Sequence, residues 1–313
     1  MPRSNLIAID IGNARIKLGC FAASCALAPS ALFPEPESTL TLSSDAPQWT
    51  ELVQWLGPMR RAPGVSPGIR DAATQRHPRA DAQGSPDATG VSPGFSWWIG
   101  SVNRPAASRL LDWLRSQRPQ DRVTLLAAGD LPLRVAVPRP DMVGVDRLLD
   151  AVAANRLRDA GRPAVVVDVG TAITVDALSA NGVFLGGAIL PGIGMSARAL
   201  NEFTDLLPLI DVGQVANLPE NPRQIGNLPH GDLTVPPPPV GRDTEAAMRS
   251  GLFWGAVGAI RELVARAADD AGAQPQVFLT GGAGPAVADL LGPDAHQVPH
   301  LTLAGIVLTA ARG

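Results

Sequence analysis

An acidic turn occurs twice in this sequence, and each copy follows a run of apolar residues. The first copy is DIGNARIKLG at residues 10–19, and the second is DVGTAITVDAL at residues 168–178. In both, an Asp is followed by an aliphatic residue, a Gly and a short polar residue, and a second apolar run then returns. This layout predicts a β-hairpin with the Asp at the lip of a tight turn. A chain of 313 residues that builds this unit twice is expected to contain two domains.

The repeated turn has the chemistry of a phosphate site. The backbone N–H groups of a turn that contains Gly form a concavity that binds phosphate oxygens. Asp10 and Asp168 would repel a bare phosphate, so each is expected to face a cation such as Mg²⁺ that bridges to it. Two such turns would together hold one nucleotide. For either copy alone an ordinary β-turn is the alternative, and the sequence contains neither G-x-x-x-x-G-K-[ST] nor G-x-G-x-x-G between a strand and a helix.

The apolar runs predict a mixed α/β fold that is built twice. The β-branched run at 163–170 is typical of a strand buried on both faces. Strands and helical stretches in each half indicate mixed sheets flanked by helices, with the nucleotide in the cleft between the two domains. The predicted strands are 5–10, 14–21, 163–170, 172–178, 182–190 and the beginning of 276–284, and the predicted helices are 146–159, 193–207 and 244–270.

Two regions have the composition of a chain that cannot bury enough surface to fold. Residues 57–95 contain six prolines and the pentapeptide GVSPG twice, and residues 209–240 contain two similar QxxNLP segments followed by four consecutive prolines. Neither region shows apolar periodicity, and the repeats are too short to be solenoid units. We therefore predict two flexible surface insertions, one in each domain.

Composition excludes several classes of partner. The formal net charge is −3, with 26 Lys and Arg against 29 Asp and Glu and no basic cluster, so neither nucleic acid nor a membrane surface is an expected partner. Cys20 and Cys25 lack the neighbours of a zinc or disulfide framework. No apolar run is long enough for a signal peptide or a membrane span. A cytoplasmic protein that acts on small molecules is expected.

The motifs, taken together, resemble a known family. The paired acidic turns and the later FLTGGAG resemble the actin-like ATPase superfamily, whose ribonuclease H-like domains are duplicated. The order and spacing of VGVDRLLDAVAA (143–154), VVVDVGTAITVDAL (165–178) and GGAILPGIGMSARAL (186–200) are similar to those of the type III pantothenate kinase family. The resemblance implies an N-terminal domain at 1–143 and a C-terminal domain at 144–313. It also implies that the γ-phosphoryl group of ATP is transferred to the 4′-hydroxyl of pantothenate, the first step of coenzyme A synthesis.

The same resemblance implies roles for individual residues. Asp10 would face Mg²⁺, Asp168 would bind a monovalent cation (K⁺ or NH₄⁺), and Thr171 would contact ATP. Asp146 would accept the proton of the substrate hydroxyl, and Thr244 would contact substrate near a subunit boundary of a homodimer. The ATP-phosphate loop would consist of Asp10, Ile11, Gly12, Asn13, Ala14, Arg15, Ile16 and Lys17. The G-x-D-R motif that contacts pantothenate would consist of Gly144, Val145, Asp146 and Arg147.

Elementary chemistry agrees with the roles of Asp146 and Arg147. Asp146 lies in the first turn of a predicted helix, whose dipole favours the ionised carboxylate, and a base of low pKa is sufficient for phosphoryl transfer. Arg147 is always charged and is suited to a two-pronged contact with a substrate carboxylate. Without the family, a helix cap for Asp146 and a surface position for Arg147 would be the simpler interpretation.

Two positions depart from the family pattern. Many members have a Tyr before the G-x-D-R motif, where this chain has Val137, and the sequence contains no tyrosine. Ala14 replaces a hydroxyl residue in the first loop, so one hydrogen bond to phosphate or Mg²⁺ is absent. Both changes are expected to affect affinity more than reaction type. Two rival functions remain: a regulatory protein of the same fold that has lost catalysis, and another actin-like ATPase without an acceptor substrate.

Other chemistry-bearing residues have simpler interpretations. His296 and His300 have i, i+4 spacing, but Pro299 intervenes, so solvent-facing imidazoles are favoured over a zinc site. Trp97 and Trp98 are expected in the core rather than in base stacking. Glycines 281, 282 and 284 would admit either adenosine or a simple tight turn. The helix after Thr244 is expected at a two-fold interface, with burial inside its own subunit as the alternative; its apolar residues are Met248, Leu252, Phe253, Val257 and Ile260.

Overall fold

In a computed structural model of the protein, residues 5–22, 33–60, 94–211, 236–292 and 294–312 are described. The first half contains five strands and two helices, followed by a third helix. These elements are β1 (Leu6–Ile11), β2 (Arg15–Phe21), β3 (Ser38–Ser43), α1 (Trp49–Leu56), β4 (Ser96–Ser101), α2 (Arg104–Gln117), β5 (Arg122–Leu125) and α3 (Val145–Leu157).

The second half repeats the arrangement with five further strands and four helices. These elements are β6 (Ala164–Val169), β7 (Ala172–Leu178), β8 (Phe184–Pro191), α4 (Ile193–Glu202), α5 (Thr244–Ala271), β9 (Gln276–Thr280), α6 (Gly284–Ala288), β10 (Ala295–Gln297) and α7 (Leu301–Ala310). Within the described ranges, no helix combines the length and apolarity that crossing a membrane requires.

The two five-stranded sheets have the same topology. The first has the order β3-β2-β1-β4-β5 and the second has the order β8-β7-β6-β9-β10. In each sheet the central strand is antiparallel to the next strand in sequence and parallel to the fourth strand of its unit. The duplicated mixed sheet predicted from the sequence is confirmed, and Asp10 and Asp168 occupy equivalent places on the two central strands.

Apolar residues explain why β1 and β6 are central. All six residues of β1 are buried, as are five of the six in β6. Helices cover both faces of the sheets at these strands, so the strand sequences are continuously apolar and do not alternate between apolar and polar residues. Helices α3 and α7 pack against each other, α3 also contacts β4, β6 and β7, and α7 contacts β1, β2 and β4. One apolar cluster therefore joins the two sheets.

Some predicted boundaries differ from the structure. The helix predicted at 193–207 ends at Glu202, where the hydroxyl of Thr204 donates to the carbonyl of Leu200 and Pro208 follows shortly after. Phe95 and Ile210, placed inside the predicted insertions, are 4% exposed and belong to the core. The ends of both predicted insertions are also ordered: residues 58–60 form a helical turn, and the carbonyls of Pro237 and Pro239 accept hydrogen bonds from Trp254 and Ser250 of α5. Residues 61–93 and 212–235 lie outside the described residues, so their flexibility stays a prediction.

Candidate active site

The site lies where the central strands of the two sheets end. Asp10 is the fifth residue of β1 and is paired in the hairpin register with Lys17 of β2. Asp168 is the fifth residue of β6 and is paired with Thr174 of β7 and Thr280 of β9. Residues opposite each other on antiparallel strands place their side chains on the same face, so Lys17 accompanies Asp10.

Electrostatic interactions connect the two acidic turns with Asp146. Burial raises the pKa of Asp10 from 3.8 to about 7; Lys17 opposes this rise, and Asp146 and Asp168 add to it. Burial likewise raises the pKa of Asp168 to about 6, again against Lys17 and with contributions from Asp146 and Asp176. The structure thus brings Asp10, Asp146, Asp168 and Lys17 together, as expected for one active site.

The first turn of α3 holds Asp146 in a close-packed place. Its Oδ1 accepts a hydrogen bond of 2.8 Å from the backbone N–H of Arg147. A Cβ added at Gly144 would lie 2.6 Å from that oxygen, which explains why Gly precedes the Asp by two positions. The expected low pKa is not found, because burial raises the pKa of Asp146 and outweighs the lowering effects of the N–H and charge of Arg147. A raised pKa makes this carboxylate a stronger base.

Arg147 makes an ion pair that the sequence did not indicate. Its Nε donates to both carboxylate oxygens of Asp176 at 3.1 Å, and its Nη2 donates to Oδ1 of the same carboxylate. The side chains are 14% and 2% exposed. The alternative of a surface position for Arg147 is therefore wrong, and two of its nitrogens are already engaged by protein.

Asp150, one turn after Asp146 on α3, is a further buried carboxylate. It is 2% exposed, and its Oδ1 has no hydrogen-bond partner among the described residues. Burial raises its pKa well above the usual value, Asp168 contributes, and a hydrogen bond from Thr302 opposes the rise. The i, i+4 spacing of Asp146 and Asp150 was the available signal for a second acid on this helix face.

Side chains from other elements hold the first loop. The hydroxyl of Ser44 donates to the carbonyl of Gly12 at 2.8 Å, and Nδ2 of Asn103 lies 3.4 Å from the carbonyl of Asn13. Asn103 also caps α2 by accepting from the N–H of Ala106. Ser44 and Asn103 were missed by sequence reasoning because they lie 32 and 91 positions from Gly12.

The second acidic turn packs against the glycine turn that follows β9. The N–H of Ala283 donates to the carbonyl of Val169 at 3.1 Å. Gly281 has a φ of +90°, and a Cβ there would lie 2.3 Å from Oδ1 of Asp168. Glycine is therefore required at 281 for both conformation and space. Thr171 lies in the same turn, and its carbonyl accepts from the N–H of Gly192 at the start of α4.

Thr244 lies apart from the acidic cluster. It is the first residue of α5 and lines a groove of about 830 Å³ between α4 and α5, together with Ser196, Leu200, Phe203 and Met248. The helix face proposed for a two-fold interface is largely buried in the chain's own core: Met248, Phe253, Val257 and Ile260 are at most 7% exposed. Those four residues therefore give no argument for an interface.

The remaining candidates have structural roles. Trp97 is fully buried, and its Nε1 donates to Asp121 at 2.8 Å. His296 and His300 are both exposed, as expected, and the ring of His296 lies beside Phe278 with centroids 5.8 Å apart. Within the described parts of the chain, no group of three His, Cys, Asp or Glu residues has the geometry of a metal site. Val137, at the position of the family Tyr, packs against the apolar cluster that joins the sheets.

Fold and site together define a class. Two five-stranded sheets of one topology, each with an acidic turn at the end of its central strand, make this a protein of the actin-like fold class. Within that class, the chain belongs to the type III pantothenate kinase family, whose model matches residues 6–266.

Individual relatives agree with this assignment. A type III pantothenate kinase of Acidiphilium cryptum is 36% identical over 214 residues, covering 68% of this chain and 72% of the relative. One of Gluconobacter oxydans is 37% identical over 200 residues, covering 61% and 63%. One of Paramagnetospirillum magneticum is 38% identical over 178 residues, covering 57% and 60%. The aligned part is less than two thirds of the length of the last two.

Solved structures that align with most of this chain share little sequence identity with it. A propionate kinase of Francisella tularensis is 10% identical, with a TM-score of 0.44 and coverage of 98% of each chain. The activator of 2-hydroxyisocaproyl-CoA dehydratase from Clostridium difficile, with bound ADPNP, is 11% identical, with a TM-score of 0.44 and coverage of 98% and 93%.

Proposed function

We propose that this protein transfers the γ-phosphoryl group of ATP to the 4′-hydroxyl of pantothenate, giving 4′-phosphopantothenate for coenzyme A synthesis. Family membership supports the reaction. The observation that carries the assignment within this chain is the position of Asp146 beside two buried carboxylates and Lys17. In phosphoryl transfer, catalysis is mainly positioning and electrostatic stabilisation, which this arrangement supplies.

The acidic residues fit bound cations. Burial raises the pKa of both Asp10 and Asp168, and repulsion by neighbouring aspartates adds to each rise, so a cation would stabilise their ionised forms. We assign Mg²⁺, bridged to the phosphates, to Asp10, and K⁺ or NH₄⁺ to Asp168. When bound, Mg²⁺ supplies neutralisation of the charge that develops on the transferred phosphoryl group. One or two carboxylates with phosphate oxygens are the usual ligands of Mg²⁺ in such sites.

The protein's own residues supply the remaining functions. Asp146 accepts the proton of the 4′-hydroxyl, and its raised pKa assists that transfer. The loop from Asp10 to Lys17 holds the ATP phosphates with backbone N–H groups, and Thr171 contacts ATP from the second turn. Gly144, Val145 and Arg147 contact pantothenate.

We further propose that the protein is a homodimer in which Thr244 contributes to the substrate site across the subunit boundary. Thr244 is exposed at the edge of the groove between α4 and α5. The groove is lined mostly by apolar residues, and one of them, Phe203, is 80% exposed. A contiguous apolar surface of this kind is typical of an interface between proteins.

The test is ADP release measured with and without pantothenate in the presence of ATP, Mg²⁺ and K⁺. The proposed kinase releases ADP only when pantothenate is present, in a one-to-one ratio with phosphorylated product. ADP release that ignores pantothenate would instead support an actin-like ATPase, and no release under any condition would support a regulatory protein.

The same assay tests the monovalent cation. If Asp168 binds K⁺ or NH₄⁺, the pantothenate-dependent rate rises when either ion replaces Na⁺ at constant ionic strength. Equal rates in the three salts would contradict this assignment and leave the reaction itself untouched.

A further inference from the structure

Asp176 is a buried carboxylate in the middle of the second sheet, and none of the roles above uses it. It is the fifth residue of β7, where it is paired with Val166 of β6 and Gly187 of β8. It is 1% exposed. An ionised carboxylate at such a place costs considerable free energy unless it is paired and hydrogen-bonded.

The partner of Asp176 is Arg147, which follows Asp146 directly in the chain. Nε of Arg147 lies 3.1 Å from each oxygen of Asp176, and Nη2 also donates to Oδ1. A guanidinium carries five N–H donors in a fixed plane, so fixing Nε and Nη2 determines the direction of the whole group. Within the described ranges, no further acceptor engages Nη1 or the second hydrogen of Nη2, so these donors are left for a ligand.

The surroundings of this ion pair leave little freedom of movement. A Cβ added at Gly187 would lie 2.4 Å from Oδ1 of Asp176, so this glycine provides the space for the carboxylate. The ring centroid of Phe184 lies 5.8 Å from Cζ of Arg147. Thr174, on the same face of β7, donates its hydroxyl to Asp176. Gly187 on β8 and Thr174 on β7 therefore fix the position of the Asp176 carboxylate.

We propose that Asp176 is a positioning residue, which aims the free donors of Arg147 at the carboxylate of pantothenate. This inference rests on the proposed function, because it requires Arg147 to contact that substrate. The planar fork of Arg suits a carboxylate, and a guanidinium aimed in advance loses less conformational freedom on binding. Asp176 itself touches no substrate and acts only through Arg147.

The test compares pantothenate with its alcohol analogue, in which CH₂OH replaces the carboxylate, in the wild type and in Asp176→Asn. The quantity measured is the ratio of kcat/KM for the two substrates. The wild type is expected to prefer pantothenate, and Asp176→Asn is expected to reduce this ratio by about 10- to 100-fold, the range of one charge-assisted contact. A general loss of activity cancels in the ratio, and the KM for ATP should change little.

The chain offers a matched control in a second buried ion pair. Arg118 and Asp121 are 7% and 0% exposed, with Nε and Oδ2 2.7 Å apart. Asp121 precedes β5 at the opposite end of the first sheet from Asp10, where it accepts from Trp97 at the beginning of β4. Asp121→Asn should destabilise the fold in the same way as Asp176→Asn and leave the substrate ratio unchanged.

Each outcome decides the question. An unchanged ratio in a folded Asp176→Asn protein would overturn the proposal and leave Asp176 with a structural role. If that variant does not fold, Asp176→Glu keeps the charge and displaces it by one methylene, and the ratio must fall there too. A wild type without any preference would also overturn the proposal. A wild type that phosphorylates neither substrate would instead refute the proposed function.

Discussion

At the scale of single residues, negative charge exceeds positive charge in the cleft. Asp146 interacts electrostatically with four other aspartates, and the cations that oppose them are Lys17 and Arg147. Arg147 is largely neutralised by Asp176. Without ligands, the cleft therefore carries an excess of negative charge, and cations that enter with ATP would neutralise it. The four other aspartates are Asp10, Asp150, Asp168 and Asp176.

The first prediction concerns the base. Asp146→Asn should preserve the fold and ATP binding, and it should lower the pantothenate-dependent rate by about two orders of magnitude or more, because the amide cannot accept the proton. Steady-state ADP release measures the rate, and calorimetry with ATP measures binding. Turnover close to that of the wild type would reject Asp146 as the base.

The second prediction concerns the pH dependence of stability. Without ATP and metal, folded Asp10 has a pKa of about 7 against 3.8 for an ordinary Asp, so the folded state holds a proton that the unfolded state releases. Stability from this residue is fully present below about pH 4 and is lost as the pH rises towards 7. The rise of about three pH units corresponds to about 4 kcal/mol.

Asp10→Asn removes this dependence. Compared with the wild type, the variant should gain stability as the pH rises from 4 to 8, measured as the free energy of unfolding in urea. Asn at the exposed Asp45 is the control and should follow the wild type. If the difference between Asp10→Asn and the wild type is the same at both pH values, burial does not control this carboxylate.

Sequence patterns identified only part of the site. Asp10 and Asp168 were found because their turn is repeated, and Asp146 with Arg147 because they lie in a family motif. Asp176 was missed because a polar residue in a strand usually faces solvent, and its partner is 29 positions away. Asp150 was missed because it lies among apolar residues of α3, so that its i, i+4 spacing from Asp146 was not read as a second acid of the same cleft.

At the scale of elements, the two hairpins and the helices α3, α4 and α5 were predicted from periodicity, whereas α1, α2, α6 and α7 were not. Strand β3, with the sequence STLTLS and mostly exposed or half-buried residues, also lacked a signal. The interface on α5 was predicted from the same periodicity and is wrong for its buried residues. A long apolar stripe shows that a helix is covered, but it does not show whether the covering surface belongs to the same chain or to a second subunit. In this protein, a sheet of the same chain covers α5. Periodicity alone does not distinguish these cases.

The third prediction uses two glycines with similar backbone conformation. Gly281 has a φ of +90° and Gly161 a φ of +81°, but a Cβ at 281 would contact Asp168, whereas a Cβ at 161 would have no atom within 4 Å. Gly161→Ala should cost about 1–2 kcal/mol for the strained φ alone. Gly281→Ala should cost roughly 2 kcal/mol more and reduce activation by K⁺. Equal free energies of unfolding for the two variants would show that the turn after β9 moves enough to accommodate a Cβ at position 281.

The fourth prediction concerns the Pro-rich regions. Limited proteolysis should cut first within 57–95 and 209–240, because their composition does not support a core. The buried Phe95 and Ile210 confine the expected cuts to the interior of each region. Mass spectrometry of the earliest fragments locates the cuts. If both regions resist a protease that digests the sheets, they are structural parts of the domains.

At the scale of the whole molecule, the fifth prediction concerns assembly. If Thr244 of one subunit completes the site of Asp146 in the other, chains with Asp146→Ala and chains with Thr244→Ala should complement each other. A mixed dimer then has one native and one doubly altered site. Random pairing makes half of the dimers mixed, so activity should reach about a quarter of the wild-type value.

Two controls accompany this experiment. Each variant alone should be nearly inactive, and tagged chains should show that mixed dimers form. A co-expressed mixture no more active than the separate variants, despite proven mixed dimers, would show that Thr244 does not complete the partner's Asp146 site.

Helix α7 is the last helix to be synthesised, and yet it covers part of the first sheet. It packs on β1 and β2, so the first sheet waits for a helix that begins about 280 positions after β2 ends. At the usual rate of translation, the ribosome needs roughly 15 to 60 s to add these residues. During that time the apolar surface that α7 covers is exposed on the nascent chain. The protein should therefore depend on chaperones that hold unfinished chains, and ribosomes that stall before Leu301 should release products destined for degradation.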